Sequence, residues 1–235
     1  MIQLLYGRFY RIRRLSCDIS DQGHAGVRRQ RVYLILTHTW KVEEVLNPEE
    51  YYQRVSRCLR KHICTQPSDY VVAEAGDVQQ EGQKRKRASS TTSAADEDLS
   101  YLLNDRETRT LRALCRDYVK MHGGTRRPED DSNLWVYLGD SAAYKTWSAV
   151  SGRLPTYRRS SGLLWSPHYR RWLTGREKLA SLGFPVTPAV AMAMGAPMLG
   201  VKDTKRAALV AGNAMALSTV GVVELVALCC YRRLS

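Results

Sequence analysis

No two cysteines in this chain stand at metal-ligand spacing. Cys17, Cys58, Cys64, Cys115, Cys229 and Cys230 form no C-x-x-C, and no His-x-His cluster accompanies them. A zinc site is therefore not expected, and no other metal is either; a disulfide framework does not suit 235 residues. The thiols read as small buried hydrophobes in a reducing compartment. A secretory leader is not expected, because the apolar start reaches Arg8 without a small-residue cleavage site. Acidic residues are few, 23 Asp plus Glu against 36 Lys plus Arg, which leaves a net charge of +13. Lysine is scarce in the basic clusters, Lys84 and Lys86 apart.

What is there instead is arginine. It gathers at Arg11, Arg13 and Arg14; at Arg28, Arg29 and Arg31; at Arg158 and Arg159; and at Arg170 and Arg171. Planar guanidinium forks match phosphates and base edges better than ammonium groups do. The surplus suits a polyanion, DNA first, with a merely solvated basic surface as the plain alternative.

Along the chain, 4–12 (LLYGRFYRI) and 31–37 (RVYLILT) read as strands joined by a polar loop holding Gly23 and Gly26. In a strand Arg29 and Arg31 point the same way. Asn47-Pro48-Glu49-Glu50 starts a helix expected to reach His62, with Tyr51, Val55 and Leu59 as its core stripe and Arg54, Arg57, Arg60 and Lys61 as a basic surface. Residues 74–98 are nearly devoid of apolar side chains and predict an unstructured linker. Within it, Lys84-Arg85-Lys86-Arg87 reads as a nuclear import signal or a phosphate-binding tether. A helix is expected over about 98–122, ended by Gly123-Gly124, and a short strand over 134–139. Tyr157, Trp165 and Tyr169, interleaved with Arg158, Arg159, Arg170 and Arg171, suit a nucleic-acid contact surface; alternatively Trp165 and Trp172 are core.

Thr174-Gly-Arg-Glu177 fits a capping box, and the helix it opens should end at Gly183 with Pro185 as a block. A second helix is expected from Asp203 to Gly212, then a tight turn at Asn213. A last helix, apolar nearly all round, should run from Ser218 to Tyr231 and be buried against something large. Residues 207–231 have the length and basic flanks of a membrane span. Asn213, Ser218, Thr219 and Glu224 inside them favour a buried helix pair, so no membrane is expected.

The same stretch resembles a family. Arg171-Trp-Leu-Thr174-Gly-Arg176-Glu177, followed by Leu182-Gly-Phe-Pro185, looks like the ninth conserved motif of the cytosine-C5 DNA methyltransferases. Gly212-Asn213 at the head of an apolar helix is similar to their tenth. Leu154-Pro155-Thr156-Tyr-Arg158, then Trp165-Ser-Pro167, looks like the segment before the ninth. Gly26-Val-Arg-Arg29-Gln-Arg31-Val-Tyr-Leu-Ile35 resembles the eighth, with Val27 where the family has Gln. The three stand in family order.

The resemblance implies an α/β fold: part of an S-adenosylmethionine-dependent, Rossmann-like methyltransferase domain with an inserted mixed α+β target-recognition region. By the same resemblance, 1–40 end the catalytic domain. Residues 41–155 are recognition-like, with the linker at about 74–98, and 156–235 return to the catalytic domain. Arg28, Arg29, Arg31, Arg158 and Arg159 would contact DNA, with Arg29 and Arg31 supporting catalysis. Asn213, Ala214 and Met215 would lie beside S-adenosylmethionine. Arg171, Thr174, Arg176 and Glu177 would brace the recognition region against the core. The family's chemistry is methyl transfer to C5 of a flipped cytosine, with a cysteine attacking C6. That cysteine follows a proline, and no Cys follows a Pro here; Glu-Asn-Val is absent too. Cys17, in LSCDIS, is a poor substitute. The chain is therefore expected to bind DNA, to be inactive alone, to act in the nucleus or otherwise the cytoplasm, and to need an N-terminal methyltransferase half, on a separate chain or upstream. The alternatives are a non-enzymatic nucleic-acid-binding protein and a membrane-anchored basic protein.

Overall fold

The computed structural model describes residues 1–85, 98–158 and 163–234. It is mixed α and β: helices packed around small sheets, every paired strand antiparallel among the described residues. That is as far as the expected α/β class is met.

The chain opens with a helical turn, α1 (Ile2–Tyr6), where a strand is expected over 4–12. The strand starts later, as β1 (Tyr10–Cys17), and pairs with β2 (Arg31–His38) from Tyr10↔His38 to Cys17↔Arg31. This register turns Leu15 and Cys17, with Tyr33 and Ile35 opposite, toward the core. The period of two sends Val32, Leu34 and Leu36 to the other face, where they stay exposed. Next come β3 (Val42–Glu44) and α2 (Pro48–His62). Asn47 caps α2, its side chain accepting from the Glu49 and Glu50 amides. The deepest residues of α2 are Tyr52 and Ser56, one position round from the expected stripe, while Tyr51, Val55 and Leu59 are half-buried. The helix lies between the 3-10 turn Ile19–Gln22 and a C-terminal helix, which rotates its buried face.

The linker expectation is corrected over 75–85, which form α3 (Ala75–Arg85). Few apolar groups suffice: Val78 is buried, and a Cβ on Gly82 would lie 3.2 Å from Leu99. Lys84 and Arg85 pair with Glu81 at 3.1 and 3.2 Å. Residues 86–97, with Lys86 and Arg87 of the basic run, lie outside the described residues. The helix expected from 98 begins later, as α4 (Asp105–Met121), because Asn104 and Glu107 make a capping box there. Gly123 and Gly124 follow it with φ of 57° and 79°. Of 134–139 only β4 (Val136–Tyr137) is strand; it joins β5 (Leu164–Ser166) and β6 (Arg171–Trp172) in a small sheet. Trp165 and Trp172 pack edge to face across it at 4.7 Å, with Leu114 and Tyr118 of α4 in the same core.

The C-terminal part is helical: α5 (Gly175–Ser181), α6 (Pro188–Met194), α7 (Thr204–Asn213) and α8 (Leu217–Cys230), then β7 (Tyr231–Arg233), which pairs with β3. Gly175 lets α5 lie directly on α7: a Cβ there would come within 2.6 Å of the Thr204 carbonyl oxygen. The stretch Thr204–Cys230 is apolar and long enough to cross a membrane: it has 27 residues, and an 18-residue window of it has mean hydropathy 1.8. It is not continuous. Ala214 and Ala216 have extended backbone (ψ 151° and 128°) and split it into helices of 10 and 14 residues, each short of the roughly 20 a span needs. The all-round burial expected of α8 is not met. Thr219, Val222, Val226 and Cys230 form one buried stripe against α2 and the β1–β2 pair, while Leu225 and Leu228 are exposed.

Candidate functional site

The three segments that resemble family motifs meet around the α7–α8 junction. Arg29 sits just before β2 and is 1% exposed. The Arg28 amide donates to the Leu154 carbonyl at 3.3 Å, and Leu154 returns a bond to Gly26 at 2.7 Å. This strap turns Arg29 inward, ahead of the strand, so it does not share a direction with Arg31 as strand alternation predicts. Its Nη2 donates to the carbonyls of Gly212, at 3.2 Å, and Ala214. A guanidinium thus sits at the C-terminal end of α7, where carbonyls lack intrahelical donors and the dipole is negative. Its Nε and Nη1 have no hydrogen-bond partner among the described residues. Burial pulls its pKa down, and the nearby Arg31 charge adds to that. Arg31 points elsewhere, donating to the Gln30 carbonyl at 2.7 Å. Arg28 is exposed.

Asn213 ends α7, its Nδ2 donating to the Leu209 carbonyl at 3.1 Å. Asn213 and Met215 are exposed, and Ala214 is half-buried. These three residues form an open edge that does not by itself enclose a nucleoside-sized cofactor, so they do not fit S-adenosylmethionine as a complete pocket.

Arg171, Thr174, Arg176 and Glu177 form a buried network. Glu177 is 0% exposed and accepts from Arg171 at 2.9 and 2.7 Å and from the Thr174 amide at 2.8 Å. Thr174 in return accepts the Glu177 amide at 3.3 Å, which closes the capping box. Arg176 reaches Asp77 of α3 at 2.7 Å and the Val186 carbonyl at 3.0 Å. The network joins β6, α5 and α3. Sequence reasoning missed Asp77; its signal was the acid three residues after Glu74, whose amide it accepts at 3.0 Å. Lys178, also missed, is 4% exposed beside this network.

The proposed aromatic contact surface is largely interior. Tyr157 is buried with its hydroxyl 2.6 Å from Ser181 Oγ, and Trp165 is buried. Arg158 is exposed but already engaged, making two 2.9 Å bonds to Asp140 and lying over the Tyr137 ring. The Arg158 bond holds the Asp140 carboxyl below its ordinary range. Arg159 lies outside the described residues. Cys17 is fully buried, and burial pushes its thiol up to about 11, the wrong direction for a nucleophile at neutral pH. Among the described residues no three His, Cys, Asp or Glu side chains converge as metal ligands do. No protein-family model matches the chain, and no curated protein matches it either.

Proposed function

We propose that this chain is the DNA-binding C-terminal portion of a cytosine-C5 DNA methyltransferase. In this reading it has an α/β, Rossmann-like methyltransferase role only together with a segment carrying the Pro-Cys and Glu-Asn-Val motifs its sequence lacks. The assembled enzyme transfers a methyl group from S-adenosylmethionine to C5 of cytosine in DNA, work that belongs in the nucleus. The observation that carries the reading is the convergence of the motif-like segments: Arg29 of the first bonds to Gly212 and Ala214 of the last, 183 and 185 residues away. Gly175 of the middle one lies on the same helix. Three segments in family order that also touch are better support than order alone.

In this reading Arg29 fixes the α7–α8 junction, Arg28 and Arg31 face the DNA, and Arg158 exchanges Asp140 for a phosphate. Residues 213–215 supply one edge of a cofactor site whose remainder lies in the other segment. The uncovered apolar residues Val32, Leu34 and Leu36 on one face of β2 are where that segment packs. The other reading, a non-enzymatic nucleic-acid-binding protein, draws on the burial of Cys17 and the absence of a nucleophile loop.

A labelled-cofactor assay on cytosine-containing duplex separates the two. The expected result is no transfer by this chain alone and transfer once a polypeptide bearing the nucleophile loop is added. Activity from the chain alone would overturn the division of labour. Failure to bind duplex at moderate salt would overturn DNA binding altogether.

A further inference from the structure

We infer that the outer face of α4 is a binding ridge for the phosphate backbone of a nucleic-acid duplex. Arg109, Arg112, Arg116 and Lys120 are all exposed. At 100° per residue they fall within an arc of about 80°, nearly opposite the buried Leu114 and Tyr118. At 1.5 Å per residue the ridge is about 16 Å long. Arg112, Arg116 and Lys120 have no hydrogen-bond or ion-pair partner among the described residues. Arg109 only donates to the Asp105 carbonyl. Asp117, on the same helix, is taken by Lys145 at 3.5 Å. Asp105 sits in the first turn, where the helix dipole favours it. The ridge ends in a cleft of about 610 Å³ that Arg116 and Lys120 line with Arg127, which adds a fifth cation beyond the glycine turn, and with Glu129, the one acid there against three cations.

A row of cations this long, unpaired and mostly arginine, suits a linear array of phosphates rather than one carboxylate. A lipid surface fits less well. An interfacial helix must free a large apolar face for the bilayer, and the apolar face of α4 is committed to the tryptophan core. The ridge lies outside every segment that resembles a family motif, and the inference rests on the DNA-binding reading above.

The test is duplex affinity of the full chain by fluorescence anisotropy over a salt series. The triple variant Arg112→Gln/Arg116→Gln/Lys120→Gln is set against a control of equal charge, Arg54→Gln/Arg57→Gln/Arg60→Gln on α2. Circular dichroism should show both folded, since all six side chains are exposed. The ridge variant should bind at least about tenfold more weakly. Its plot of log K against log salt should be shallower by about 2 to 3, close to 0.9 for each lost phosphate contact. Equal losses in both variants would mean a general charge effect and overturn the ridge. Wild-type binding with an unchanged ridge variant would overturn the ridge and leave the DNA-binding reading standing. No wild-type binding would overturn both. Anionic vesicles displacing the duplex at equal salt would assign the ridge to membrane instead.

Discussion

Lys178 is the residue whose burial has the clearest consequence. Burial pulls its ammonium down to about 8; Glu81 opposes the shift, while Arg85 and Lys84 add to it. Below that value both folded and unfolded chains carry the charge. Between about 8 and the ordinary lysine value near 10.4, the unfolded chain holds a proton the folded chain has released. The unfolded state binds more protons there, so this residue's contribution to stability rises with pH. Cys17 and Cys115, whose thiols burial raises to about 11, act in the opposite sense above about pH 9. They cancel when wild type is compared with Lys178→Met, which keeps the stem's packing. The stability of wild type minus that of the variant should therefore grow by roughly 2 kcal/mol from about pH 7 to about pH 10, read from urea midpoints. A flat difference would mean that Lys178 keeps its proton in the folded chain.

At the scale of elements, the Arg171–Thr174–Glu177 network fastens β6 to α5, and Arg176–Asp77 fastens α5 to α3. Glu177→Ala leaves the Arg171 guanidinium, itself 6% exposed, without its carboxylate. Removing one partner of a buried pair costs about 3 to 5 kcal/mol, whereas replacing both by apolar groups is far milder. Urea unfolding should show that loss for Glu177→Ala and most of it recovered in Arg171→Met/Glu177→Leu. A single variant as stable as wild type would remove the network from the fold's essential contacts. The capping box was legible in the sequence because its partners lie within three residues of each other. So were the Asn47 cap of α2 and the strand β2, which rest on local sequence. What could not be read was set at long range. Arg29 turns inward because Leu154, 125 positions along the numbering, holds the backbone beside it. Helix α3 forms in a polar stretch because Asp77 finds Arg176, 99 positions further along. Composition records neither partner.

For the molecule as a whole, the contrast is between a net charge of +13 and apolar faces that nothing among the described residues covers. Residue 228 of α8 is 79% exposed and Val32 of β2 is 49% exposed, though both elements bury their other sides in one core. Leu34 and Leu36 of β2 share the face of Val32, opposite Arg14 and Ile12 of β1. A folded chain gains little from them as they stand, so polar substitutions there should be nearly free. Leu34→Glu even places a carboxylate across from Arg14, a favourable cross-strand pair. Leu34→Glu/Leu36→Glu should therefore unfold within about 1 kcal/mol of wild type. If this face seats the nucleophile-bearing segment, the same variant should lose co-elution with that polypeptide and the methyl transfer it restores. Duplex binding should be unchanged, because the substitutions lie away from α4 and Arg28, and Arg31 at the start of β2 has the opposite strand parity. Full restoration of transfer by the variant would show that the two parts meet elsewhere. Loss of duplex binding as well would mean that the face contacts DNA directly.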